Sequence, residues 1–312
     1  MLVANIFLYI VAFFFIWFGA GLVVSSASKF STKLRLSPFA FSFVFLGILT
    51  STPEFSVGLQ AVASSHPEIF VGNLLGGIVV IFLVVIPLLA VFGNGINLKD
   101  ELDNKTLLIT LGIILTPSLF ILDKKVTTLE GTILVILYVV LLFLVERRNG
   151  IFDRSNEQLF NIKAYSYKDI LKMLLGIGIV FVSSSIIVDK TTYFAGIFNI
   201  SAFYISLFVI ALGTNLPELS LAVRSIISRK REIAMGDYMG SAAANTLLFG
   251  IFTLLHGGEI LTVDNFIITF LFILTALGLF YFFFRTKNYI SRGNGFILLG
   301  IYVIFVIVEL IR

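Results

Sequence analysis

Two glutamates, Glu54 after Pro53 and Glu218 after Pro217, stand inside apolar runs and are the residues best placed to do chemistry. A carboxylate at a bilayer centre costs roughly 2.5 to 3.5 kcal/mol on insertion scales, so such an acid is a functional hypothesis from the outset. Proline removes one backbone donor and clashes with the preceding turn. It is therefore expected to free the carbonyls of Leu49 and Gly213 and to loosen those of Thr50 and Thr214. Carbonyls released at membrane depth need new partners, and a cation is one. The hydroxyls of Thr50, Ser51, Thr52 and Thr214 and the amide of Asn215 add neutral oxygens. Two carboxylates among neutral oxygens suit Ca²⁺, which takes about six to eight oxygen ligands in flexible geometry.

A third acid follows downstream. Asp237, Ser241 and Asn245 recur at four-residue steps and so line one face of a helix. With no cysteine and two histidines, thiolate metal sites, iron–sulfur clusters, disulfides and cysteine nucleophiles are excluded. No phosphate-binding glycine loop, zinc motif or nucleophile elbow occurs, so neither an enzyme nor a cofactor is expected. His66 and His256 fall in turns and are expected to be solvated or interfacial.

The elements that must position these groups are membrane helices. Of 312 residues, 58% are hydrophobic and 13% charged, against about a quarter charged in soluble domains. The mean hydropathy is +1.06, and the apolar residues form runs near the length of about 20 that spans a bilayer. A soluble protein is excluded and the lipid bilayer becomes a partner. Helices are expected near 2–24, 36–64, 68–93, 106–122, 127–146, 169–188, 200–228, 232–255, 265–284 and 293–311. The N-terminus is not expected to be a signal peptide, because it lacks a basic n-region.

Alternating loops then sort the charges. Of 22 basic residues, all but Lys124, Lys125, Lys190 and Arg312 fall on one side. The positive-inside rule makes that side cytoplasmic, with both termini outside a plasma or inner membrane. The Arg229, Lys230, Arg231 cluster serves this orientation, and no nucleic acid or protein partner is expected.

Sliding the sequence by 164 positions places Thr50, Pro53, Glu54, Ser56, Ser64, Glu68, Ile69, Gly72 and Gly76 on Thr214, Pro217, Glu218, Ser220, Ser228, Glu232, Ile233, Gly236 and Gly240. Chance matching would favour Leu, Ile and Phe pairs rather than Pro, Glu, Gly and Thr. The expected fold is an all-α membrane protein of ten transmembrane helices as two inverted five-helix repeats. Residues 1–146 form the first repeat, 147–168 a cytoplasmic linker loop and 169–312 the second. Five spans per half force the second half to enter from the opposite face. Inverted repeats are a device of secondary transporters, which bind their substrate near the midplane.

The segments Thr50-Ser51-Thr52-Pro53-Glu54 and Thr214-Asn215-Leu216-Pro217-Glu218 resemble the signature repeats of the calcium/cation antiporter superfamily, its prokaryotic sodium/calcium exchangers most of all. That resemblance implies a secondary active antiporter exchanging Ca²⁺ for Na⁺ by alternating access, with inorganic cations as its partners. It implies Glu54 and Glu218 as paired Ca²⁺ ligands beside Thr50 and Thr214, with Ser51 and Asn215 flanking. Ser241 and Asn245 match the later motif, and Asp237 stands where asparagine is usual. Gly77 and Ile81 replace a serine and an asparagine of the first repeat. This loss of sodium ligands keeps a proton-driven antiporter of the same fold as the alternative. The first and sixth spans are implied to slide against the rest.

Overall fold

The computed structural model describes residues 2–31, 39, 42–97, 104–149, 167–228, 231–257, 259–261, 266–287 and 289–311. Its helices are α1 (Leu2–Ser31), α2 (Ser42–Thr50), α3 (Thr52–Ala63), α4 (Pro67–Phe92), α5 (Asn104–Phe120) and α6 (Thr128–Asn149). The second half repeats the order with α7 (Tyr167–Phe198), α8 (202–214), α9 (Leu216–Ser228), α10 (Arg231–His256), α11 (Ile267–Lys287) and α12 (Arg292–Ile311). Among the described residues nine helices are long and apolar enough to cross a membrane, and the pair α2–α3, bent by 46°, makes a tenth. The architecture is that of ten transmembrane helices in two inverted repeats. The expected linker 147–168 falls almost wholly outside the described residues, as do Arg229 and Lys230.

Some expected bounds shift: the first span, expected to end near residue 24, continues as α1 to Ser31. The sixth span, expected to end near residue 188, continues as α7 to Phe198. Its last turns carry Asp189 and Lys190, paired at 3.1 Å. Hydropathy marks only the apolar length of a helix, and charged turns can extend beyond it. The second and seventh spans, expected as single helices, each divide at a non-helical residue, Ser51 and Asn215.

The repeat is written into the packing. Helices α4 and α10 form the centre, 89% and 78% buried over their most apolar windows, against 22% for α1 and α12. Gly236 and Gly240 of α10 lie against the carbonyls of Phe39 and Phe43, leaving no room for a Cβ. Their images Gly72 and Gly76 of α4 lie in the same way against Phe203 and Leu207. Small residues allow this backbone approach. On the approaching side, π turns at Ser42–Leu46 and Ser206–Ile210 open both broken spans at equivalent places.

Four short strands follow the same rule. Strand β1 (Ile96–Asn97) pairs antiparallel with β4 (Tyr289–Ile290), and β2 (Lys125–Val126) with β3 (Ile260–Leu261). The pair Ile96↔Ile290 maps on the 164-residue offset onto Ile260↔Val126, which is the register observed. The symmetry therefore runs to both ends of the bundle.

Candidate functional site

The site forms where the two broken spans meet α4 and α10. The expectation that proline frees two carbonyls is corrected here. Those of Leu49 and Gly213 accept backbone N–H groups of the cap turns. Leu49 also receives the Thr52 hydroxyl at 2.6 Å, so Thr52 is used up locally. The consequence of the prolines is the break itself: Glu54 and Glu218 enter the first turns of α3 and α9. There the positive end of the helix dipole favours a negative charge.

Glu54 and Glu218 are 1% and 0% exposed, and Thr50, Ser51, Thr214, Asn215, Asp237, Ser241 and Asn245 are all buried at 3% or less. These nine residues thus lie inside the protein and none faces lipid, whereas Thr52, His66 and His256 are only partly buried. Hydrogen bonds between the site residues of the two halves tie the halves together. The Thr50 hydroxyl donates to Asp237 Oδ1 at 3.0 Å, and its image Thr214 donates to Asn73 Oδ1 at 3.1 Å. Ser51 and Ser241 share a hydrogen bond of 3.2 Å, and the Asn215 nitrogen donates to Glu54 Oε1 at 3.4 Å. Within the second half, Ser241 donates to Glu218 Oε1 at 2.9 Å.

The face expected on α10 is real, and its three members reach different elements. Asp237 meets α2, Ser241 meets Ser51 and Glu218, and Asn245 donates to the carbonyl of Leu74 in α4 at 3.3 Å. Asn245 also fills the space beside Gly77, where a Cβ would stand 2.8 Å from its nitrogen. Sequence analysis missed Tyr238, whose buried hydroxyl donates to the backbone carbonyl of Glu218 at 3.2 Å. A tyrosine next to an intramembrane acid was the available signal, since a buried hydroxyl needs a partner.

The partnerless atoms of the cluster are mostly acceptors, the Asn73 side-chain nitrogen being a donor among them. Glu54 Oε2, Glu218 Oε2, Asp237 Oδ2, Asn215 Oδ1 and Asn245 Oδ1 are buried acceptors with no hydrogen-bond partner among the described residues. Both amides are oriented by their bonds: the Asn215 nitrogen also donates to Ala211 at 2.8 Å, which an oxygen could not do. Buried acceptors are normally paired, and five orphans on residues of one hydrogen-bonded cluster suit a cation. No three His, Asp or Glu side chains among the described residues gather closely enough to hold a metal by themselves. Neutral oxygens must therefore complete any coordination. No Lys or Arg side chain among the described residues is buried to balance the acids.

Fold and site together define an inverted-repeat membrane protein with an acidic, oxygen-lined centre, the architecture of secondary transporters. The chain belongs to the sodium/calcium exchanger protein family, whose family model matches residues 4–145 and 168–311. It is 28% identical over 262 residues to the inner membrane protein YrbG of Escherichia coli K12, covering 81% of this chain and 80% of that one. It is 27% identical to the putative antiporter CaxA of Alkalimonas amylolytica, covering 83% of each. Among solved structures, the sodium-calcium exchanger NCX_Mj soaked with 2.5 mM Na⁺ and 10 mM Sr²⁺ superposes with a TM-score of 0.72 at 20% identity, over 98% of this chain and 99% of that one.

Proposed function

We propose that this protein exchanges Ca²⁺ for Na⁺ across the membrane by alternating access, with Glu54 and Glu218 as the shared cation ligands. The observation that carries the proposal is the set of partnerless buried oxygens on Glu54, Glu218, Asp237, Asn215 and Asn245. Family membership supports the same conclusion. Ca²⁺ sits between the two glutamates, with Asn215, Asn245 and the hydroxyls of Thr50, Ser51, Thr214 and Ser241 as neutral oxygens and Asp237 alongside. Uncompensated negative charge in low dielectric opposes movement of the empty carrier, so one ion leaves only as another replaces it. Both termini face outward, because the basic residues then lie in the cytoplasm.

A second reading, proton-driven exchange, is favoured by Gly77 and by Ile81, which is buried and apolar where a polar ligand would serve Na⁺. The test is ⁴⁵Ca²⁺ uptake by proteoliposomes under an imposed Na⁺ or pH gradient. Uptake driven by Na⁺ and abolished in both Glu54→Gln and Glu218→Gln is the expected result. Uptake that survives both substitutions removes the site, and uptake driven only by the pH gradient replaces Na⁺ with H⁺.

A further inference from the structure

Helices α1 and α7 are images of each other, yet their outward surfaces differ. A groove of about 660 Å³ runs along α7, with Phe15 of α1 as part of its wall. Leu171, Leu174, Leu175, Gly178 and Val182 line it, and Leu174, Leu175 and Val182 are 58%, 55% and 67% exposed. Nothing lies within 4 Å of the Cβ position of Gly178, so its missing side chain leaves a dent in α7 that no described residue fills. On the 164-residue offset Gly178 is the image of Phe14. That ring packs beside those of Phe15 and Trp17, with centroids 5.9 and 5.8 Å apart. The first half carries an aromatic ring where the second carries empty space.

The same face of α7 is charged at its start. Counting from Lys168, steps of three and four residues reach Leu171 and Lys172, then Leu175, Gly178 and Val182, so both lysines share a face with the groove. Both lysine side chains are exposed. The apolar span of α7 begins at Ile170, so the lysines bracket the point where the helix enters the bilayer. From Leu171 to Val182 a helix rises about 16 Å, close to half of a hydrocarbon core about 30 Å thick. The groove is therefore as long as one leaflet. The images of Lys168 and Lys172 are Ala4 and Leu8, so the first half has neither the dent nor the charge.

We infer that this groove binds one anionic phospholipid of the surrounding bilayer, with its phosphate at Lys168 and Lys172 and one acyl chain lying past Gly178 against Phe15. The apolar wall suits the chain, and the dent gives it room. Lysine stems lie along apolar surface while their ammonium groups reach the headgroup level, where they pair with phosphate. Each such lysine favours anionic over zwitterionic lipid by about fivefold. The site lies apart from the buried acids and needs no ion in them.

The experiment titrates the purified full-length chain in detergent with phosphatidylglycerol or with phosphatidylcholine of the same acyl chains, and counts retained lipid by native mass spectrometry. Wild type is expected to retain one phosphatidylglycerol at concentrations about tenfold or more below those needed for phosphatidylcholine. Lys168→Gln with Lys172→Gln should hold the two lipids alike. Gly178→Phe, which copies Phe14, should retain neither at those concentrations. Gly112→Phe, where the Cβ position is equally open, should behave as wild type. Equal retention of both lipids by wild type overturns the inference, as does a phosphatidylglycerol preference that survives the paired lysine substitution or retention that survives Gly178→Phe. A loss in Gly112→Phe as large as in Gly178→Phe would leave only general annular lipid and overturns it too. Glycerol 3-phosphate, a headgroup without chains, should not displace the bound lipid, and displacement would reduce the site to a phosphate contact and overturn the groove. Should Gly178→Phe fail to fold, the exposed lysine pair still decides.

Discussion

The side-chain nitrogen of Asn215 donates both to Glu54 Oε1, at 3.4 Å, and to the carbonyl of Ala211, at 2.8 Å. A residue from the break of the second half thereby orients the acid of the first, while its own Oδ1 stays without a partner. Asn215→Ala removes the bond that aims Glu54. Loss of a buried hydrogen bond to a charged group costs about 1.5 to 3 kcal/mol. Ca²⁺ binding is therefore expected to weaken by roughly tenfold or more, and a ⁴⁵Ca²⁺ binding isotherm checks it.

Ser241→Ala should cost more than Asn215→Ala. Its hydroxyl is 2.9 Å from Glu218 Oε1, a shorter bond than that of Asn215, and it also meets Ser51 at 3.2 Å. Removing it leaves a second carboxylate oxygen of Glu218 without a donor. The same isotherms should rank wild type above Asn215→Ala and Asn215→Ala above Ser241→Ala. The reverse order would show that distance to the carboxylate does not set the effect.

The paired glycines give a stability prediction that uses the symmetry directly. A Cβ at Gly240 runs into the carbonyl of Phe43, and one at Gly76 into that of Leu207. Backbone cannot yield as a flexible side chain can, so Gly76→Ala and Gly240→Ala should each destabilise by about 1 to 3 kcal/mol. Thermal unfolding in detergent should show similar drops in Tm for the two. Gly300→Ala is the control, since nothing lies within 4 Å of its Cβ position. It should leave Tm unchanged or slightly higher, because alanine favours helix.

These predictions also mark what the sequence could disclose. The 164-residue offset was visible because Pro, Glu and Gly matches stand out against an apolar background, and it carries through to the register of Ile96 with Ile290. Glu54 and Glu218 were visible because acids in apolar runs are costly. The fate of the Leu49 carbonyl was not, since it depends on the rotamer of Thr52 and on the cap turn at Ser51. Nor could spacing show that Asn215 turns its nitrogen to Glu54. The length of α7 was missed because apolar runs report the bilayer, and helices continue past it.

A local signal escaped notice at the start of α6, where Thr127 and Glu130 form a capping box. Glu130 Oε2 accepts from the Thr127 backbone at 2.7 Å, and the Glu130 N–H donates to the Thr127 hydroxyl at 3.3 Å. The T-x-x-E pattern ahead of an apolar run is its signature. Glu130→Ala should lower stability by about 1 kcal/mol, readable as a fall in Tm with Ca²⁺ binding intact, since α6 supplies no residue to the site.

The cysteine-free sequence makes the sliding division testable by cross-linking. Helices α1 and α7 lie along one another, joined by the Tyr9 and Thr191 hydroxyls at 2.9 Å and by the Tyr9 and Phe194 rings. Helix α1 also touches the core, where the Trp17 indole donates to Ser220 of α9 at 2.7 Å. If α1 and α7 move as one unit, tying them together costs nothing, whereas tying α1 to α9 stops the cycle. The double substitution Tyr9→Cys with Thr191→Cys, bridged by a short bis-methanethiosulfonate that forms a disulfide with each thiol, should therefore keep its ⁴⁵Ca²⁺ exchange. Trp17→Cys with Ser220→Cys should exchange before the reagent and stall after it, with reduction restoring transport. Exchange that continues through the second bridge would mean that α1 stays fixed on α9 during transport, and the moving part would have to be sought elsewhere.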